Sequence, residues 1–218
     1  MAQSRGPARK STKAATRRVE ILRVATRLFL EKGYEATSLQ DIADEVGLLK
    51  GSLYYYISEK EDLLYAILED MYATSRAAMA EISSLEVGAL VKIRRICVAH
   101  VLNVLRNRDQ VTIFFRDFGV LSEERVREIS AQRDRYAKGF AALLKAAQAE
   151  AVVCPDVNVK LSSGSILGML NMVHEWYPYS DETRAMRLAE EIADLVVASL
   201  RCDGKTHRPG HRRHAATA

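Results

Sequence analysis

Apolar positions recur at helical spacing along nearly the whole chain. Ile21, Leu22, Ala25, Leu28 and Phe29 share one face of a helix that begins near Thr16 and closes at Gly33, where a left-handed residue is wanted. Ser38 with Asp41 three residues on is a helix-start signal. Leu39, Ile42, Ala43 and Val46 then form the buried face of a short helix over 39–46, which Gly47 ends. A second short helix is expected over 50–56. Ser58-Glu59-Lys60-Glu61 repeats the start signal and opens a longer helix, 59–83, carrying Leu63, Leu64, Ile67, Leu68 and Met71. Beyond Ser84 the same period predicts helices over 87–107, 109–118, 122–150, 156–176 and 181–201, with Pro155 suited to a first helical turn. Nothing alternates with period two, so the expected fold class is all-α, with about nine helices.

Two short helices joined through a Gly-containing turn make a helix-turn-helix pattern. In DNA binding the first helix props the second, which enters the major groove where base edges are distinguishable. The second helix here suits that task. Lys50 can reach a phosphate or a guanine edge, Gly51 lets the backbone approach closely, and the Ser52 hydroxyl both donates and accepts. Leu53 points to the core. Tyr54, Tyr55 and Tyr56 spread too far around a helix to be buried together, so at least one ring is exposed. Short paired helices also occur in ordinary bundles, and Tyr56 can equally pack as touch DNA.

The stretch S-L-Q-D-I-A-D-E-V-G-L-L-K-G-S-L-Y-Y-Y-I-S-E-K-E-D-L-L, residues 38–64, resembles the TetR family of repressors, and F-L-E-K-G-Y-E-A-T before it matches that family's lead-in. The resemblance implies a bacterial ligand-responsive repressor that binds a palindromic double-stranded operator as a homodimer; an activator, or a repressor answering a cationic aromatic drug, is the alternative. It implies base or nearby backbone contacts for Lys50, Gly51, Ser52, Tyr54 and Tyr55, and phosphate-contacting or capping positions for Thr37, Ser38, Tyr56 and Lys60. Leu49 departs from the pattern: many members carry Ser or Thr there, so the second helix lacks an obvious N-cap. The implied organisation is a basic arm expected to be disordered (1–15), a three-helix DNA-binding domain (16–62), a helical ligand-binding and dimerisation domain (63–201) and a basic tail expected to be disordered (202–218). Dimerisation would use the helices near 156–176 and 181–201. In the latter, Ala185, Leu188, Ala189, Ile192, Leu195, Val196 and Ser199 form a broad apolar stripe that serves a dimer face or an internal core equally well.

A ligand cavity is expected among the helices over 87–107, 109–118, 122–150 and 156–176. Its candidate walls are Phe114, Phe115, Phe118, Tyr136, Phe140, Met169, Met172 and Trp176, with His100 and Asn171 as polar anchors; core packing explains any one of them as well. G-M-L-N-x-x-x-x-W-Y-P, residues 168–178, preceded by R-D-R-Y at 133–136, is similar to a subset of the family that includes acyl-CoA-responsive regulators of lipid and sterol breakdown. An acyl-CoA is therefore one candidate effector, and Arg106, Arg108, Arg116 and Arg133 are candidate basic groups at the mouth.

Charge adds to this picture. Residues 1–23 hold seven Lys or Arg against one acid, and residues 201–218 hold five against one, although the chain as a whole is only +4. A mildly acidic body with two basic ends favours DNA through counterion release. Cys97, Cys154 and Cys202 are scattered, with no Cys/His cluster, so neither a metal nor another cofactor is expected. No apolar run reaches the ~20 residues of a membrane span and no signal segment is visible, which suggests a cytoplasmic protein. No nucleophile elbow, phosphate loop or zinc motif supports catalysis.

Overall fold

A computed structural model describes the backbone of residues 7–201 and the side chains of residues 14–201. Residues 1–6 of the basic arm, and the basic tail with Cys202, lie outside the described residues. The described residues form ten α-helices and no strand: α1 (Pro7–Lys32), α2 (Leu39–Glu45), α3 (Lys50–Leu53), α4 (Lys60–Ser84), α5 (Ala89–Arg106), α6 (Arg108–Asp117), α7 (Glu123–Ala149), α8 (Val159–Asn171), α9 (Val173–Trp176) and α10 (Glu182–Leu200), with a 3-10 turn at Phe118–Val120 between α6 and α7. None of these helices is long and apolar enough to cross a membrane.

Three boundaries differ from the sequence reading. Helix α1 starts at Pro7 rather than near Thr16, so residues 7–15 of the expected unstructured arm are helical. Proline suits a first turn, and a helix already anchored downstream propagates through Ala, Lys and Arg without needing an apolar face. The expected helix 156–176 starts later and is divided. Pro155 stays in the loop, and Asn158 caps α8 by accepting from the Leu161 amide at 3.1 Å. At the other end His174 Nδ1 bonds the Asn171 carbonyl at 2.8 Å, and the chain turns at Met172 into the single-turn α9. That division brings the described residues to ten helices, one of them the single turn α9, in line with the about nine expected.

Two apolar cores organise the bundle. One joins Ile21, Leu28 and Phe29 of α1, Ile42 of α2, Leu53 of α3 and Leu63, Leu64 and Leu68 of α4, and it takes in Ile113 of α6 and Ile129 of α7. The other joins Ile93, Cys97 and Val101 of α5, Phe140 and Leu144 of α7, Leu167 and Leu170 of α8 and Ala189, Ala193 and Val196 of α10. Helix α4 serves both: its first half is buried in the N-terminal core, and Met71, Met79 and Ile82 pack on the second. On α10, Ala185, Ala189, Ile192 and Val196 are buried within the chain, while Leu195 is 67% exposed, so the apolar stripe divides between an inward and an outward face.

Candidate functional site

The helix-turn-helix is assembled by local polar contacts around a few buried anchors. Ser38 Oγ accepts from the Asp41 amide at 3.1 Å and the Asp41 carboxylate accepts from the Ser38 amide at 2.8 Å, the reciprocal cap that the sequence announces. The Ser38 hydroxyl also donates to the Asp41 carboxylate, and this bond together with that from the Ser38 amide holds the carboxyl down at about 2. Gly33 (φ +87) and Gly47 (φ +65) close α1 and α2 in the left-handed region. Helix α3 is a single turn and ends before Tyr54, shorter than the expected 50–56, because the chain tightens into a turn through Tyr56. Only Leu53 of its four residues is buried; Lys50, Gly51 and Ser52 face outward. Tyr55 is 81% exposed and Tyr54 about half exposed. Tyr56 packs edge-on against Tyr55 and touches the N-terminal core. Leu49 precedes α3 with no side-chain cap and is itself exposed.

Thr37 of the family lead-in and Lys60 at the start of α4 have internal work. Thr37 is fully buried, its hydroxyl donating to the Gly33 carbonyl at 2.8 Å and facing that of Leu28. Lys60 Nζ donates to the carbonyls of Tyr34 (2.8 Å), Thr37 (3.0 Å) and Glu35 (3.3 Å) and sits 4.2 Å from the Tyr34 ring centre. These bonds tie the turn after α1 to the start of α4, contacts of the capping kind. The start of α4 is capped by Asp62, which accepts from the Ser58 and Glu59 amides at 2.7 and 2.9 Å, one residue beyond the expected Glu61.

The body holds this unit by two arginines. Arg116 of α6 donates to the Phe29 and Leu30 carbonyls at the end of α1, with Asp117 fixing its guanidinium at 2.8–3.1 Å. Arg125 of α7 reaches Glu59, Glu61 and Asp62 at the start of α4, and the Ser122 amide donates to Glu61 at 2.8 Å.

A cavity of about 350 Å3 opens between α4, α5, α6, α7 and α8. Its wall combines Tyr72, Val104, Phe114, Phe115 and Leu167 with the polar group His100, Tyr136 and Asn171. His100 Nδ1 lies 3.0 Å from the Tyr136 hydroxyl and Nε2 lies 3.0 Å from Asn171 Oδ1. Burial drives the imidazole down to about 4, so it is neutral at ordinary pH, and burial pushes the Tyr136 phenol well above its usual value. Phe114 also packs on the N-terminal core, edge-on to Tyr72 (6.0 Å) and tilted against Phe118 (5.0 Å).

Five of the ten expected wall residues line this cavity: His100, Phe114, Phe115, Tyr136 and Asn171. Phe140 is buried in the body core and Phe118 packs against the N-terminal one. Met169, Met172 and Trp176 stand off the cavity and are 47%, 44% and 58% exposed: Met169 lies on the outer face of α8, and Trp176 follows the bend at Met172. Of the four arginines, Arg133 alone lines the cavity. Arg106 pairs with Glu182, Arg108 bonds the His174 carbonyl at 2.9 Å, and Arg116 holds α1. Sequence reasoning missed Ser75, Asn103, Gly164 and Gly168 as wall residues. The two glycines lie one turn apart on α8, where missing side chains widen the space; a Gly pair at i, i+4 inside an apolar helix was the available signal.

The model of the tetR family of bacterial regulatory proteins matches residues 21–67, and the tetracyclin repressor-like C-terminal domain model matches residues 88–200. The HTH-type transcriptional repressor KstR2 of Mycobacterium tuberculosis is 25% identical over 190 residues, 87% of this chain and 95% of that one. Among solved structures, the TetR family regulator PfmR of Thermus thermophilus is 31% identical with a TM-score of 0.74, over 82% of this chain and 97% of that one. AibR, solved in complex with isovaleryl coenzyme A and operator DNA, is 27% identical with a TM-score of 0.70, over 85% of this chain and 98% of that one. From residue 21 to residue 200, then, in sequence as in architecture, the chain belongs to the TetR family of DNA-binding transcription regulators.

Proposed function

We propose that the protein is a homodimeric repressor that binds a palindromic operator and releases it when a small, largely apolar effector fills the cavity. The observation that carries this reading is the double attachment of α6. One face supplies Phe114 to the cavity wall, and the same helix supplies Ile113 to the N-terminal core and Arg116 to the end of α1. An effector that displaces Phe114 thus moves the seat of the DNA-binding unit. Exposed Lys50, Ser52, Tyr54 and Tyr55 read the groove, and two copies must present α3 about one DNA turn, ~34–36 Å, apart. An effector preferring the wrong spacing by ~1–3 kcal/mol lowers operator affinity accordingly.

The dimer face is Leu161, Met169, Met172 and Trp176 with Leu195 of α10, all exposed on this chain. A bundle built from α8 and α10 of two protomers covers them. The boundary between the DNA-binding and effector domains runs within α4 after Leu68, where the partly buried Met71 packs on the second core and Tyr72 still on the first. An acyl thioester is a fitting effector: 350 Å3 accommodates an acyl group, and Arg133 at the wall suits the phosphates outside. AibR, a relative, binds such a thioester.

The test is to select bound sequences from random DNA, measure stoichiometry, and titrate the complex with acyl-CoAs of increasing bulk. A palindrome bound by two protomers and released by some of them is expected. Sequence-indifferent binding, or release by none, refutes the reading.

A further inference from the structure

The cavity's polar group has a definite hydrogen-bond polarity. Asn171 Oδ1 can only accept, so His100 Nε2 carries the ring hydrogen. The neutral ring then leaves Nδ1 bare, and Nδ1 accepts from the Tyr136 hydroxyl. A phenol O–H against a bare imidazole nitrogen is a matched donor and acceptor. With its oxygen engaged by His100, Asn171 keeps both hydrogens of Nδ2, which have no partner among the described residues, on a side chain that lines the cavity. Of the other polar wall groups, the Tyr72 hydroxyl has no hydrogen-bond partner among the described residues, and the Asn103 amide is already bonded. Asn103 donates to Ser75 Oγ at 2.9 Å and accepts from Asn107 at 2.7 Å, while Arg133 and Asp134 lie beside each other at 4.0 Å. The wall cation Arg133 is more than half exposed beside Asp134, at the mouth rather than the interior, so no buried cation faces a ligand's apolar body.

Resting on the effector reading above, we infer that Asn171 is the specificity-determining residue of the cavity and donates its side-chain amide to a neutral carbonyl oxygen, a ketone or thioester, on an otherwise apolar ligand. A carboxylate would lose its hydration against neutral groups and find no buried cation. A primary ammonium would meet the same amide hydrogens and be repelled. Asn171 also sits where α8 gives way to α9, its backbone carbonyl accepting from His174, which stacks on Phe115 at 5.5 Å. A ligand held by Asn171 therefore bears on the wall residue of α6 from a second side.

The full chain is titrated calorimetrically with 2-decalone, 4-phenylcyclohexanone and 4-cyclohexylcyclohexanone, and with the carboxylic acid and primary amine on each frame. Ketones are expected to bind, with the charged analogues roughly tenfold weaker or worse. Asn171→Leu, and Asn171→Asp, which keeps the shape but has no N–H, are each expected to weaken the ketones about tenfold. Thermal melts establish that the variants fold. On unaltered protein, a bound ketone is expected to shift the Asn171 side-chain amide resonance, and the 15N shifts of His100 to place the hydrogen on Nε2. Ketones that fail to bind, acids or amines that bind as well, indifference to Asn171, or an Nδ1–H tautomer would each overturn the inference. Ketone binding through Asn171 that leaves operator affinity unchanged would support it and strike instead at the regulatory reading.

Discussion

Replacing Lys60 by Met separates a structural lysine from a DNA-binding one. The ammonium holds three carbonyl oxygens at 2.8–3.3 Å, two of them partly buried, and lies over the Tyr34 ring. Methionine keeps most of the stem's packing and removes the donors. A hydrogen bond to a charged group contributes ~1.5–3 kcal/mol, but three sharing one ammonium do not add, and water replaces the partner of the exposed Glu35 carbonyl. Roughly 2–3 kcal/mol should be lost. For a chain of this size, ~2–4 °C per kcal/mol translates that into a melting temperature lower by about 5–10 °C. The assay is thermal unfolding followed by circular dichroism, run beside Lys50→Ala. Lys50 is exposed, so its variant should melt as the parent does while losing operator affinity. The reasoning fails if Lys60→Met melts like the parent and instead flattens the salt dependence of operator binding by about two phosphates per dimer; Lys60 would then be a phosphate contact.

Other outcomes follow from the same geometry. Tyr55→Ala should weaken operator binding by ~1–3 kcal/mol without changing the melting temperature, since the ring is mostly exposed; anisotropy titrations and melts check it. Gly168→Ala should stabilise α8 by ~0.5–1 kcal/mol yet blunt effector release by narrowing the cavity, read as a higher urea midpoint with a weaker response. His100 titrates at about 4 when folded against an ordinary 6.5, so the stability its neutrality provides is complete above 6.5 and is lost as pH falls toward 4. At ~1.4 kcal/mol per unit that is at most about 3 kcal/mol, and urea midpoints of His100→Gln should lack the decline. Leu195→Glu should give monomers in light scattering, because a charge replaces the most exposed apolar side chain of α10.

The N-terminal unit was legible because its signals are local. Ser38 and Asp41 three apart make a cap wherever they occur, and Gly33 and Gly47 mark turns that need a positive φ. Thr37 and Lys60 were harder: a hydroxyl and an ammonium look available to phosphate in a sequence, and only the folded chain brings the carbonyls of residues 28–37 within their reach. Cavity walls obeyed a similar limit. Size and softness selected Phe140, Met169, Met172 and Trp176, but apolar bulk is wanted equally by a core and by a surface that another protomer covers. What distinguishes a wall is direction: that of Met169 is set by its place on α8, and that of residues 172–176 by the bend at Met172, where the His174 side chain turns back on the Asn171 carbonyl. Gly164 and Gly168 escaped notice for the opposite reason, since they contribute to the cavity by what they lack.

The brevity of α3 reaches beyond a single operator. One turn of helix cannot sustain itself, so its shape is imposed by the neighbouring caps and by Leu53, and its outward residues carry none of the fold. If these residues read the operator as proposed, their text can be rewritten while the page stays intact. A duplicated copy of such a chain would need only a few changes at Lys50, Ser52, Tyr54 or Tyr55 to acquire a new address on the chromosome, with its cavity and its stability inherited whole. Leu53 offers no such freedom: its loss would silence every address at once.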